Sequence, residues 1–214
     1  VGGGESAHIA FDPDDPTLVY ATTINGTLTE MNVENRRMRE IKPYPEFVFG
    51  RDSSELRYRA NWNAPVTASK QDPSVIYYGA QKVLRTKDRG VTFEEISPDL
   101  TKDEEDKQGR NGGPITAENV GAEFYGTLLT ITSSPHAYGE IWVGSDDGLV
   151  HVTRDDGENW ADVTPGDLKG AMVNAIDVSP HEPGTAYVAV AGYKMNDYRP
   201  YIYKLTDYGR RSAR

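Results

Sequence analysis

The sequence has no cysteine among its 214 residues, which excludes a disulfide framework, a thiolate metal site and a cysteine nucleophile. It also lacks an apolar run approaching the roughly 18 residues that a membrane helix needs, so no membrane span is expected. Basic residues are in the minority, 23 against 33 acidic, and the net charge of −10 disfavours phosphate backbones and anionic surfaces. Nucleic acid is therefore the first partner discarded. The histidines are few and scattered: His8, His136, His151 and His181 form no ligand grouping, so no metal and no cofactor is expected. No Gly-x-Ser-x-Gly elbow suggests a serine triad. The chain opens Val1-Gly-Gly-Gly4 without a methionine and is expected to be a mature form or a fragment.

What is present is a repeat. His8-Ile-Ala-Phe-Asp-Pro13 leads into Thr17-Leu-Val-Tyr-Ala-Thr22, and Val66-Thr-Ala-Ser-Lys-Gln-Asp-Pro73 into Ser74-Val-Ile-Tyr-Tyr-Gly79. Leu129-Thr-Ile-Thr-Ser-Ser-Pro135 and Asn174-Ala-Ile-Asp-Val-Ser-Pro180 begin two further copies. Each is an alternating strand, a turn closed by Asp-Pro or Ser-Pro, and a β-branched or aromatic strand. The four prolines are 60, 62 and 45 residues apart, so the shortest spacing measures one unit and the longer ones hold insertions. A third strand, a tight turn and usually a fourth strand follow. Four short antiparallel strands per repeat describe β-propeller blades. The fold class is all-β, with about four blades in a partial or open propeller: 5–41, 64–98, 127–165 and 172–214, and inter-blade insertions at 42–63 and 99–126. Ala117 to Phe124 is the one helix candidate.

The turn between third and fourth strands carries the most specific pattern, Ser/Thr-x-Asp-x-Gly-x-x-aromatic. It occurs as Thr86, Asp88, Gly90 and Phe93, and again as Thr153, Asp155, Gly157 and Trp160; an eroded copy keeps Asp207 and Gly209 but ends on Ser212. The carboxylate can accept N–H groups across the turn, the glycine supplies positive φ, and the aromatic covers the hairpin. In the first unit, Met31-Asn-Val-Glu-Asn-Arg36 lacks both aspartate and glycine. At these residues the chain resembles the bacterial-neuraminidase-repeat, or Asp-box, β-propellers, and is most similar to large secreted proteins with sortilin-like propellers. Asn61-Trp-Asn-Ala-Pro65, Ile96-Ser-Pro-Asp-Leu100 and Val143-Gly-Ser-Asp-Asp-Gly148 extend the similarity over nearly the whole chain. The resemblance implies that the Asp-box residues are structural, that the protein is secreted, periplasmic or on the cell surface, and that its ligand is a protein, a peptide or a glycan.

The fourth unit ends so soon after its last turn that its outer strand is expected to lack residues. The piece is then expected to belong to a propeller of seven to ten blades, its open edges covered by the remaining blades or by another chain.

Propeller connectivity puts the Pro turns and Asp-boxes on one face, and the second-to-third-strand loops and blade-to-blade connections on the other. Both insertions fall on the second face, where a ligand is expected. The first insertion mixes aromatics with Arg51, Arg57, Arg59 and Trp62, a composition that either holds a sugar or carboxylate, or packs the insertion onto the blade tops. The second holds the acidic run Asp103-Glu-Glu-Asp106, read as a solvated loop, then Gly112, Gly113, Glu118, Glu123 and Tyr125. Ser145-Asp146-Asp147 and Tyr193 to Tyr198, with Asp197, share that face. The expected ligand-binding set is Arg57, Arg59, Trp62, Glu123, Tyr125, Asp146, Asp147, Tyr193 and Asp197. The leading expectation is a non-catalytic binding or scaffold module. The alternative is a glycoside hydrolase, xyloglucanase-like or sialidase-like, with Glu123, Asp146 or Asp147 among its two carboxyl groups. Three arginines clustered in one loop argue against the sialidase.

Overall fold

The computed structural model describes residues 8–12, 14–109, 123–168 and 170–214. Pro13, Gly112, Gly113, Glu118, the Val1-Gly-Gly-Gly4 segment and most of the helix candidate lie outside the described residues. Its last two positions, Glu123 and Phe124, are not helical.

Among the described residues, sixteen strands form four sheets, each a four-stranded antiparallel meander in chain order. The first sheet contains β1 (Ile9–Phe11), β2 (Leu18–Thr23), β3 (Thr27–Asn32) and β4 (Met38–Glu40). The second contains β5 (Val66–Ala68), β6 (Ile76–Gly79), β7 (Val83–Thr86) and β8 (Glu94–Glu95). The third contains β9 (Leu128–Ser133), β10 (Ile141–Ser145), β11 (Val150–Thr153) and β12 (Ala161–Asp162). The fourth contains β13 (Met172–Val178), β14 (Ala186–Gly192), β15 (Asp197–Thr206) and β16 (Arg211–Ala213). The fourth sheet corrects the expectation of a missing outer strand: Thr206, Leu205 and Lys204 pair with Arg211, Ser212 and Ala213. Positive φ at Asp207, Tyr208 and Gly209 reverses the chain so tightly that three residues suffice.

The core lies between the sheets. Alternation sends one side of each strand to each neighbouring sheet, so both sides of an inner sheet are apolar. Ala10, Tyr20 and Leu28 pack on Val66, Ile76 and Tyr78. Val75, Tyr77 and Val83 meet Leu128, Ile131 and Ile141, and Trp142, Val150 and Val152 meet Val173, Ile176 and Val188. The first strands β1, β5, β9 and β13 touch in succession, so the sheets fan outward like blades.

The third-to-fourth-strand turns tie each sheet to its predecessor. The Thr92 amide (2.9 Å) and hydroxyl (2.6 Å) donate to the Asp88 carboxylate, and the Thr86 hydroxyl donates to it while accepting the Gly90 amide. Thr153, Asp155, Gly157 and Asn159 repeat the arrangement, with the Asn159 amide 2.9 Å from Asp155. Gly90 abuts Ile41, Gly157 abuts the Ile96 carbonyl and Gly209 abuts Val163, each a residue of the preceding sheet that directly follows its last strand. The Trp160 indole donates to the same Ile96 carbonyl at 2.8 Å, and Phe93 packs on the core between the first two sheets. In the eroded copy the Asp207 carboxylate instead reaches Arg210, at 3.8 Å. In the first sheet Asn32 stands in for the aspartate, its Oδ1 accepting the Glu34 and Asn35 amides at 3.1 and 3.0 Å.

Candidate functional site

The two insertions pack on each other before they form anything else. Val48 and Leu56 of the first enclose Phe124 of the second in a small core, and the Ser53 hydroxyl donates to the Gln108 carbonyl at 2.9 Å. Arg59 is the main staple. Its buried guanidinium donates to Asp99 (2.6 Å), the Gly126 carbonyl (3.2 Å) and Gln108 (3.4 Å), and Asp103 lies 3.2 Å away. Placed in the expected binding set, Arg59 is in this structure a buried side chain whose guanidinium ties the two insertions together.

Beside this platform, across the ends of the third and fourth sheets, opens a cleft of about 410 Å³. Asn61, Lys102, Lys107, Glu123, Phe124 and Tyr125 line it from the insertion side, and Asp146, Met172, Lys194 and Met195 from the sheets. All come from blade-to-blade connections, from sheet ends or from second-to-third-strand loops, the face on which long loops were expected. Tyr125 is fixed by its hydroxyl, which donates to Glu104 at 2.6 Å, and Lys107 sits 5.3 Å from its ring centre. Burial and the Glu104 hydrogen bond hold its phenol well above the usual range.

Asp146 and Asp147 are adjacent and both buried, yet they face different surroundings. Asp147 accepts the Ser145 hydroxyl and, at 2.7 Å, the Lys102 amide, which anchors the second insertion to the third sheet. Asp146 lines the cleft and accepts the Thr127 amide at 2.9 Å. Burial pushes its carboxyl up to about 7. Glu123 is half-exposed, 3.9 Å from Lys194. The cleft thus holds an acid that is substantially protonated near neutrality, a second carboxylate, an amide, three ammonium groups and an aromatic ring.

No protein-family model matches the sequence. Over 200 residues, 88% of this chain, it is 25% identical to an oligoxyloglucan reducing-end-specific xyloglucanase of Emericella nidulans, and spans 22% of that protein's length. Among solved structures, the GH74 xyloglucanase of Xanthomonas campestris matches 96% of this chain and 30% of its own, with a TM-score of 0.62 at 18% identity. The Dos1 propeller matches the same share of this chain and 47% of its own, with a TM-score of 0.59 at 11% identity. The four sheets are blades of a β-propeller.

In the propeller the expected binding residues divide. Glu123, Tyr125 and Asp146 meet in the cleft; Asp147 stands behind it. Arg57 lies apart, between the Tyr44 and Tyr58 rings at 4.9 and 5.3 Å, with Glu95 3.6 Å away. Trp62 follows the cleft residue Asn61, whose Oδ1 accepts the Trp62 amide at 2.8 Å. Tyr193 precedes the lining residues Lys194 and Met195. Asp197 belongs to another groove, where Arg199 and Tyr201 (2.7 Å) hold its carboxyl well below the ordinary range. Lys102 and Lys107 flank the acidic run Asp103–Asp106, whose composition is that of a solvated loop, so nothing in the sequence marks them. Asn61 and Lys194 lie in the segments Asn61–Pro65 and Tyr193–Tyr198, where nothing local sets them apart from their neighbours. Among the described residues, no group of His, Asp and Glu is placed to hold a metal ion, and no helix is long and apolar enough to cross a membrane.

Proposed function

We propose that the cleft between the third and fourth blades binds a polysaccharide of the xyloglucan type, as one part of a larger extracytoplasmic glycan-handling protein. The observation that carries this reading is the composition of the cleft: a hydroxyl-anchored tyrosine ring beside amide, carboxyl and ammonium groups, the mixture of apolar face and polar rim that a sugar presents in return. The relation to a xyloglucanase supports the substrate class. Titration calorimetry with xyloglucan oligosaccharides is expected to show saturable binding that weakens at least tenfold in Tyr125→Ala and is unchanged in Arg57→Ala. Absence of binding, or equal loss in both variants, would sink it.

Hydrolysis is the second reading, favoured by Asp146. A glycosidase acid must hold its proton near neutrality, and Asp146 does so in a cleft that also contains Glu123. Release of reducing ends from xyloglucan, abolished in Asp146→Asn with binding retained, would establish it; binding without release leaves the module reading.

A further inference from the structure

The amide of the first turn residue donates in the same way in every blade: Asp12 to the Leu18 carbonyl, Ser69 to Val75, Ser134 to Glu140 and Ser179 to Thr185. Two residues beyond each acceptor stands an aromatic: Tyr20, Tyr77, Trp142 and Tyr187. Their partners on the third strands are Glu30, Arg85, Val152 and Lys204. The next rung on the same side of each sheet carries Leu28, Val83, Val150 and Ile202. In the first three blades this side is covered by the following blade, and the aromatic and aliphatic residues just named are at most 3% exposed. In the fourth blade the equivalents stand open, Tyr187 at 43% and Ile202 at 62%.

A second series shows what covers such a side. The residue before each turn glycine adopts positive φ, with Arg89 at 58°, Asp156 at 61° and Tyr208 at 55°. Each points back at the preceding blade. Arg89 makes two 2.8 Å hydrogen bonds to Glu30, Asp156 pairs with Arg85, and Tyr208 lies 3.7 Å under the Arg154 guanidinium. The tip residue therefore complements the charge that the preceding blade offers. The second blade's side, with Thr67, Tyr77, Val83 and Arg85, is the nearest match to the fourth blade's Asp177, Tyr187, Ile202 and Lys204. Its tip is aspartate.

We propose that the open side of the fourth blade docks a further four-stranded β-blade whose third-to-fourth-strand turn ends in an acidic residue followed by glycine. The carboxylate takes over Lys204 from Glu182, which lies 3.4 Å from it at the exposed edge, and pairs with it as Asp156 does with Arg85, while Tyr187 and Ile202 become core. A second copy of this chain docked end to end is the wrong occupant. Its first-blade turn lacks the glycine, and the positive-φ residue there is Arg36, at 57°, whose guanidinium would be set against the Lys204 ammonium.

The test extends the whole chain beyond Arg214 with a copy of residues 166–171 as connector and 127–165 as the added blade, whose tip copies Asp156. Lys204 acetylation is expected to slow at least tenfold, with the exposed Lys87 as internal reference, and the denaturation midpoint to rise. Changing the added tip to arginine is expected to abolish the protection, and Lys204→Glu with the arginine tip to restore the raised midpoint. An added blade that stays unfolded in both charge pairings, or one that folds and leaves Lys204 as reactive as before, overturns the proposal. So does concentration-dependent self-association of the unextended chain that Ile202→Glu abolishes, because the occupant would then be a second copy.

Discussion

The two faces of the propeller use aspartate in opposite ways. On the turn face Asp88 and Asp155 stand at the surface, and hydrogen bonds from Thr92 and from Asn159 satisfy them; Asp88 is lowered to about 2 and Asp155 shifts the same way. On the insertion face Asp146 is buried, accepts the Thr127 amide and is lifted to about 7 by burial. The residue type is the same; what differs is that burial strips Asp146 of water, whereas Asp88 and Asp155 stay solvated and gain hydrogen bonds. The solvated carboxylates order their turns, while the buried one in the cleft is shifted towards its protonated form.

The turn face should break hardest at its glycines. Gly157 has φ of 96°, and a Cβ there would stand 2.3 Å from the Ile96 carbonyl oxygen. Gly157→Ala adds backbone strain to a collision with the preceding blade, and is expected to cost about 3 kcal/mol in denaturant unfolding. Gly166→Ala, where a Cβ would meet nothing within 4 Å, is expected to cost well under that. Equal costs would mean that the turns are not what joins the blades.

The pH dependence separates the faces next. Asp146 binds its proton more tightly folded than unfolded, so its contribution to stability declines as pH rises from about 4 towards 7 and stays low above. Asp88 works the other way: its contribution is full above the unfolded value near 4 and is lost as pH falls through about 2. Asp146→Asn keeps an acceptor for the Thr127 amide but cannot ionise. Relative to the parent, it is expected to gain denaturant resistance between pH 5 and pH 8. A constant difference across that range would refute the buried-carboxylate account.

Much of the fold was legible because its determinants are local. Alternation, Pro turns and the Asp-x-Gly pattern each act within a few residues, so the four units could be read from their own segments. The outer strand at Arg211–Ala213 escaped because it is polar and exposed and exists only through pairing with β15. The cleft was half legible. Glu123, Tyr125 and Asp146 follow from the loop parity of a propeller, whereas the fates of Arg59 and Asp147 depend on contacts 40 or more residues away in sequence, to Asp99 and to the Lys102 amide. Nothing in the segment around Arg59 distinguishes a buried staple from a binding arginine; both need the same side chain.

The smallest expected effect sharpens the comparison within the turn face itself. Asp155 and Asp207 occupy the same place in the motif, but Asp155 accepts the Asn159 amide and side chain at 2.9 and 2.7 Å, whereas Asp207 reaches Arg210 at 3.8 Å. Removing Asp155 frees donors that then turn to water, an accessible alternative at this exposed site, so global stability should move little. Local order should move more. In Asp155→Ala the Asn159 amide is expected to exchange roughly tenfold faster with solvent deuterium, while Asp207→Ala leaves the exchange of its own turn near the parental rate. If both turns loosened equally, the motif's aspartate would be acting through its charge; a difference between them assigns the effect to the amide hydrogen bonds that only the complete motif makes.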